Sequence, residues 1–345
     1  MIENSYCFDD VLIVPSFSKI SSRKEVDIST NVNNLNLSLP IISANMDTVT
    51  GSKMANAMQQ SGGVGCLHRF MSIEDNVKEF LDSPKSTIVS IGIGKGELER
   101  AEALFYAGAK QFVIDVAHAA ALHVVQQYDE LRKIVKSDAS IIIGNVATAR
   151  DISDFLYHSK ASQMPNTFKV GIGGGSMCTT RIVTGCGMPT LQSVMDCYRY
   201  TNELGINIIA DGGIKNSGDI VKALAAGADA VMIGSLLSGT DETPGELVAY
   251  TDAYGGGFRK KYRGSASLES YEVQGKVSQH RTAEGESTYV QYKGSAVGVL
   301  QSLSAGIKSG LTYVGASNLT MLKQNARFIK ISNNGLIESK PHGKN

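Results

Sequence analysis

The chain is predicted to fold as a (β/α)8 barrel, a prediction that rests on three observations. Eight short β-rich runs alternate with helical stretches, glycine-containing turns follow nearly every run, and no central point divides the series into the two halves of an open, doubly wound sheet. Such alternation demands parallel strands. Of the 345 residues, a barrel needs about 250, so one domain over 1–345 with a single insertion accounts for the whole length.

The runs are PIISAN (40–45), GVGCL (63–67), STIVSIGI (86–93), QFVIDVA (111–117), SIIIGNV (140–146), TFKVGIG (167–173), INIIADGG (206–213) and DAVMIGS (229–235). Most are rich in β-branched residues, as strands buried on both faces are, and glycine-containing sequences follow nearly every one. Between them, SKMANAMQQSG (52–62), ELERAEALFYAGA (97–109) and GDIVKALAAGA (218–228) present the small or amphipathic faces of helices that pack on a sheet. Residues 239–294 break this rhythm, being rich in Gly, Tyr, Lys and Ser with weak periodicity. They are expected to form a structureless insertion after strand eight that acts as a lid. AVGVLQSLSAGIKSGL (296–311) resumes a helical pattern, and the polar tail ESKPHGKN is expected to fray.

Composition excludes several function classes. Lys plus Arg and Asp plus Glu each total 33, so there is no net field to attract nucleic acid or an anionic membrane. Cys7, Cys66, Cys178, Cys186 and Cys197 are odd in number and lack CxxC spacing, which argues against a disulfide framework or a structural zinc. The six histidines show no HExxH or comparable grouping; His118 and His123 fall at the spacing of one helix face, where a polar surface explains them. Glu3, Asp9 and Asp10 stand where a signal peptide needs basic residues, and no apolar stretch reaches membrane-spanning length, so a soluble cytoplasmic protein is expected.

The segment GIGGGSMCTTR (171–181) is the candidate for the chemistry, the alternative being a tight turn around a buried, inert cysteine. Gly171, Gly173, Gly174 and Gly175 let main-chain atoms approach a ligand closely, and Cys178 follows them with the hydroxyls of Thr179 and Thr180 beside it. The segment lies after strand six, at the barrel end where catalytic loops sit. Gly212, Gly213, Gly234 and Ser235 end strands seven and eight, the usual phosphate site of this architecture, with Asp211 a candidate to accept from ribose hydroxyls; turn glycines and a helix-capping aspartate are the alternative. GIGGGS and GIGKGE both lack the third glycine of a Rossmann fingerprint.

Taken together, ANMDTVTG (44–51), DVAH (115–118), GNVAT (144–148), GIGGGSMCTTR, GCGMP (185–189) and ADGGI (210–214) resemble the IMP dehydrogenase and GMP reductase family, and the likeness runs from FDDVLIVP (8–15) to TYVGA (312–316). The resemblance implies a thioimidate on Cys178. In a reductase the thiolate attacks C2 of GMP, ammonia leaves and NADPH delivers hydride to give IMP; in a dehydrogenase hydride passes from IMP to NAD and water hydrolyses the adduct. Dehydrogenases of the family resemble one another in a long flap with an Arg-Tyr pair. Here the span from YRGSAS (262–267) to RTAEG (281–285) is short, lacks that pair and resembles the reductase, so a GMP reductase is expected.

The resemblance further implies Glu284, through Thr180, as the acid that protonates departing ammonia, a step general acid catalysis requires of a poor leaving group. It places Asp211, Gly212, Gly213, Gly234, Ser235, Gly264, Ser265, Ala266, Arg281, Thr282, Ala283 and Gly285 around the nucleotide. Asp115, Val116, Ala117, Ile172, Gly173, His280 and Arg69 would serve NADPH, joined from a neighbouring subunit of a homotetramer by Ser22, Arg23, Ser309, Gly310, Leu311 and Thr312. Potassium would sit on carbonyls of Gly173, Gly175, Cys178 and Arg181. The chain departs from the family pattern at Gly174, where proline is usual, at RGSAS (263–267), where the reductase has YGMSS, and at His118, which resembles the dehydrogenase; no paired CBS module interrupts the barrel. An IMP dehydrogenase with a minimal flap and no regulatory module is the alternative, and two further classes remain open. An FMN-dependent barrel also ends strands seven and eight in glycine-rich phosphate sites, and a non-catalytic nucleotide sensor would leave Cys178 without a task.

Overall fold

The computed structural model describes residues 4–252, 255–274 and 282–341. Eight parallel strands close on themselves in it: β1 (Ile41–Ser43), β2 (Val64–Leu67), β3 (Ile88–Ile91), β4 (Gln111–Asp115), β5 (Ser140–Val146), β6 (Thr167–Val170), β7 (Asn207–Asp211) and β8 (Ala230–Ile233). The barrel closes where Val231 of β8 registers with Ile41 of β1. Every strand falls within a run expected from the sequence.

The outer helices are α1 (Ser52–Gln60), α2 (Ile73–Leu81), α3 (Lys95–Tyr106), α4 (Leu122–Val135), α5 (Ala149–His158), α6 (Thr190–Thr201), α7 (Ser217–Ala225) and α8 (Ala296–Val314). Side chains fix several of their starts. Thr148 and Asp151 form a capping box at α5, and Asn216 accepts from the Asp219 amide at α7, each satisfying N–H groups that a helix leaves unpaired. His118 lies ahead of α4, whose first residue is Leu122, so it shares no helix with His123; both histidines are exposed, in keeping with the polar surface expected of them.

Alternation along each strand separates two apolar layers. Ile41, Val89, Phe112, Ile114, Ile141, Ile143, Phe168, Val170, Ile208 and Val231 point outward and pack beneath the helices. Ile42, Val64, Cys66, Ile88, Val113, Ile142, Ile209 and Met232 point inward, and a hairpin of Thr30–Val32 and Leu35–Leu37 adds Val32 and Leu37 to them from the N-terminal end. Each such aliphatic side chain contributes about 1.5–3 kcal/mol by leaving water. Lys169 on β6 breaks the inner apolar set while remaining fully enclosed.

The insertion over 239–294 is not structureless. Strands β9 (Val248–Asp252), β10 (Gly255–Arg263) and β11 (Ser287–Gln291) form an antiparallel sheet with β10 in the middle. Lys260 and Tyr262 are the buried positions of β10, with partly exposed neighbours on either side. Its period-two pattern is therefore carried by residues that read as polar, which is why the sequence shows no strand there. A helix over Asn333–Glu338 runs up to the polar tail and takes in only its first residue; residues 342–345 lie outside the described ones.

Candidate active site

A cavity of about 550 Å3 opens at the C-terminal end of the barrel, within the range typical of small-molecule sites. Its wall joins the loops after β1, β2, β4, β6 and β7 to the inner edge of the insertion. Glycine is obligatory at one joint. Gly171 has φ +145°, and a Cβ there would lie 2.0 Å from the Asp211 carbonyl oxygen, so only glycine lets the loop after β6 turn against the end of β7. The unusual Gly174 has a local reason as well, because a Cβ would meet Thr190 Oγ1 at 2.3 Å.

Cys178, Thr180 and Glu284 come together on this wall, as expected. Cys178 Sγ donates to Thr180 Oγ1 at 3.2 Å, and Thr180 Oγ1 donates to Glu284 Oε2 at 2.7 Å. Backbone bonds join the same segments: Thr179 N donates to Glu284 O at 2.8 Å and Glu286 N to Met177 O at 2.9 Å, while Glu284 N donates to Ala266 O at 3.0 Å. The cysteine loop is thus stitched to the returning arm of the insertion, which is itself bonded to the outgoing arm. A hydroxyl with one proton, accepting from sulfur and donating to a carboxylate, makes a continuous proton path between them. Cys66, by contrast, is enclosed in the barrel, where burial and the nearby Asp115 charge push its thiol up and leave it inert.

The cavity floor carries charge. Lys169 Nζ lies 2.9 Å from Asp115 Oδ1 and 2.7 Å from Asp211 Oδ2, and it also donates to Asn145 Oδ1. A bulge between Gly144 and Val146 accompanies the turn of Asn145 toward this group, and its amide donates to Gly171 O at 2.6 Å and Asp211 Oδ2 at 3.0 Å. Burial alone would lower the Lys169 pKa, but the two carboxylates overcome it and hold the ammonium well above the usual lysine range. Burial likewise opposes ionisation of Asp115, and Lys169 reverses this, keeping the carboxyl below its usual range.

Of the expected nucleotide residues, Asp211, Gly212, Gly264, Ser265, Ala266 and Gly285 line the cavity, whereas Gly213, Gly234, Ser235, Thr282 and Ala283 do not. Gly234 sits just behind the wall, since a Cβ on it would lie 3.3 Å from the hydroxyl of the lining Tyr262. Arg69, Asp115, Val116, Ala117, Ile172 and Gly173 line the same cavity, and Arg69 Nε is buried without a partner among the described residues. Gly175 and Cys178 also face it, while Arg181 lies over Gly173 and donates to Met188 O at 2.5 Å. Ser22 and Arg23 stand apart from the cavity, on a turn packed against α8, the helix that carries Ser309, Gly310, Leu311 and Thr312. His280 and Arg281 lie outside the described residues.

Sequence reasoning gave no role to Asn145, Lys169, Ser176 or Tyr262. Ser176 Oγ and Tyr262 OH are 3.0 Å apart and fasten the cysteine loop to β10. For Lys169 a signal existed, namely one charge inside an otherwise apolar strand, TFKV.

Residues 5–342 match the family model described as the IMP dehydrogenase / GMP reductase domain. Inosine-5'-monophosphate dehydrogenase of Nitrosopumilus maritimus is 32% identical, with 97% of each chain covered, and the enzyme of that name from Cryptosporidium parvum is 34% identical over 97% of this chain and 94% of its own. Among solved structures, a cysteine-to-alanine variant of GMP reductase from Trypanosoma brucei in complex with guanosine 5'-monophosphate superposes with a TM-score of 0.90 at 26% identity, covering 99% of this chain and 98% of that one. Inosine 5' monophosphate dehydrogenase of Legionella pneumophila gives 0.84 at 43% identity, covering 96% and 100%. With its closed barrel and its cysteine loop at the barrel mouth, the chain belongs to the IMP dehydrogenase / GMP reductase family.

Proposed function

We propose that the protein is a GMP reductase, converting GMP, NADPH and two protons into IMP, ammonium and NADP. The observation that carries this is the Cys178–Thr180–Glu284 chain at 3.2 and 2.7 Å. Cys178 gives its proton to the chain and its thiolate bonds purine C2. The C2–N bond then breaks, and Glu284 supplies a proton through Thr180 so that nitrogen leaves as ammonia. Nicotinamide, when bound, supplies the hydride that C2 accepts as the C–S bond breaks and the thiolate returns. The lining Asp115, Val116 and Ala117 suit its ribose, and the unpartnered Nε of Arg69 suits an anionic part of the cofactor.

Asp211 takes the nucleotide ribose, with Gly212, Gly264 and Ser265 toward the phosphate and Ala266 and Gly285 toward the base. The turn bearing Gly173, Gly175, Cys178 and Arg181 offers backbone carbonyls, the donor class potassium takes. Ser22, Arg23 and the 309–312 segment, gathered on one face away from the cavity, suit a role completing a neighbour's cofactor site in a homotetramer.

IMP dehydrogenation is the competing reading, favoured by the 43% identity to a structure of that name. Parallel assays separate the two. GMP with NADPH should yield IMP, ammonia and NADP in equal amounts, and IMP with NAD should yield no XMP. XMP formation without GMP turnover would reverse the assignment.

A further inference from the structure

We infer that Lys169 is a positioning residue that ties the nucleotide half of the cavity to the nicotinamide half, so that each ligand's subsite is set through the other's. The inference rests on the two-ligand reading proposed above.

Asp115 ends β4 and Asp211 ends β7, and both are about one-fifth exposed at the cavity floor, whereas Lys169 between them is 2% exposed. An ammonium has three protons to donate. Here all three are taken, by Asp115 Oδ1, Asp211 Oδ2 and Asn145 Oδ1, so none is left for a ligand. The same contacts occupy one oxygen of each carboxylate. Ligand hydroxyls must be met by what remains, and where those oxygens point depends on the bridge. Among the described residues neither carboxylate has another cation bonded to it, and Arg69 acts on Asp115 only at longer range. The other titratable groups around the cluster are Cys66 from β2 and Tyr262 from β10, neither of which carries positive charge.

Taking the ammonium away leaves two facing carboxylates, and below neutral pH one shared proton takes its place. That gives the role a signature that a packing defect lacks. The test measures GMP affinity by calorimetry without cofactor, from about pH 6 to about pH 9, together with kcat and both KM values, in wild type, Lys169→Arg, Lys169→Met and Asp115→Asn. Lys169→Met should weaken GMP binding on the order of tenfold to a hundredfold at the alkaline end, recover relative to wild type toward the acid end, and raise both KM values. Lys169→Arg should restore most of the affinity.

Asp115→Asn leaves no cavity and reads the bridge even if Lys169→Met fails to fold. It should weaken GMP binding several-fold, although Asp115 lies on the nicotinamide side. The bridge is overturned if GMP affinity in Lys169→Met parallels wild type at every pH, if arginine rescues no better than methionine, or if Asp115→Asn binds GMP as wild type does. A wild type that binds no GMP overturns the underlying functional assignment instead, and the inference with it.

Discussion

Replacing Thr180 by valine keeps the shape of the side chain and removes the hydroxyl between Cys178 Sγ and Glu284 Oε2. On the proposed mechanism kcat falls by about 10²–10⁴ while GMP affinity stays within a few-fold, as rapid kinetics and calorimetry would show; equal losses in both would make Thr180 a binding residue. A second prediction concerns stability. His68 is buried, its Nδ1 accepts from the Phe70 amide at 3.2 Å, and burial lowers its pKa to about 4. The unfolded chain takes up this proton near pH 6.5 and the native state does not, so stability is full above about 6.5 and is lost as pH falls toward 4, by roughly 3 kcal/mol in all. His68→Asn should flatten that part of the urea-denaturation profile, and an unchanged slope would assign it elsewhere. At this scale the sequence singled out Cys178, Thr180 and Glu284 as candidates because they sit in recognisable motifs. Lys169, Asn145 and Tyr262 escaped notice because their partners come from other strands, and no local pattern announces a contact between β4, β6 and β7.

Elements differ in legibility for a related reason. The barrel strands were readable because burial on both faces writes continuous Val and Ile runs, such as SIIIGNV. Strand β10 was not, since Lys260 and Tyr262 fill its buried positions. Lys260 there serves the backbone, donating to the carbonyls of Thr240 at 3.1 Å, Asp241 at 3.4 Å and Thr243 at 2.5 Å. It thereby pins the insertion to the turn that leaves β8. Lys260→Met would strand those acceptors and cost about 1–3 kcal/mol, and hydrogen exchange should rise in 240–263 while β4 and β5 keep wild-type protection. Uniform loss of protection would contradict a local pin. Arg263 makes a second tie, its Nε reaching Asp47 Oδ1 at 3.2 Å and Oδ2 at 3.0 Å in the loop after β1.

For the whole molecule, the alternation of eight strands and helices sufficed to state the architecture, because closing a parallel barrel is the arrangement that buries such strands without edges. Which of two reactions it performs was less legible. On the proposed mechanism both would use the same sulfur and the same purine carbon, and they differ in the atoms that leave and arrive. None of the described helices is long and apolar enough to cross a membrane. GMP at a hundred times its Kd should stabilise the folded protein by about 2.7 kcal/mol, seen as a rise in Tm that an equal concentration of inorganic phosphate does not reproduce.

The central claim is a bond between Cys178 and purine C2, and mass spectrometry of acid-quenched protein mixed with GMP tests it most directly. Wild type should gain the mass of GMP less ammonia on the peptide that contains Cys178, and Cys178→Ala should gain none while still binding GMP. Consumption of GMP with no adduct at Cys178, or an adduct that persists in Cys178→Ala, would contradict the account.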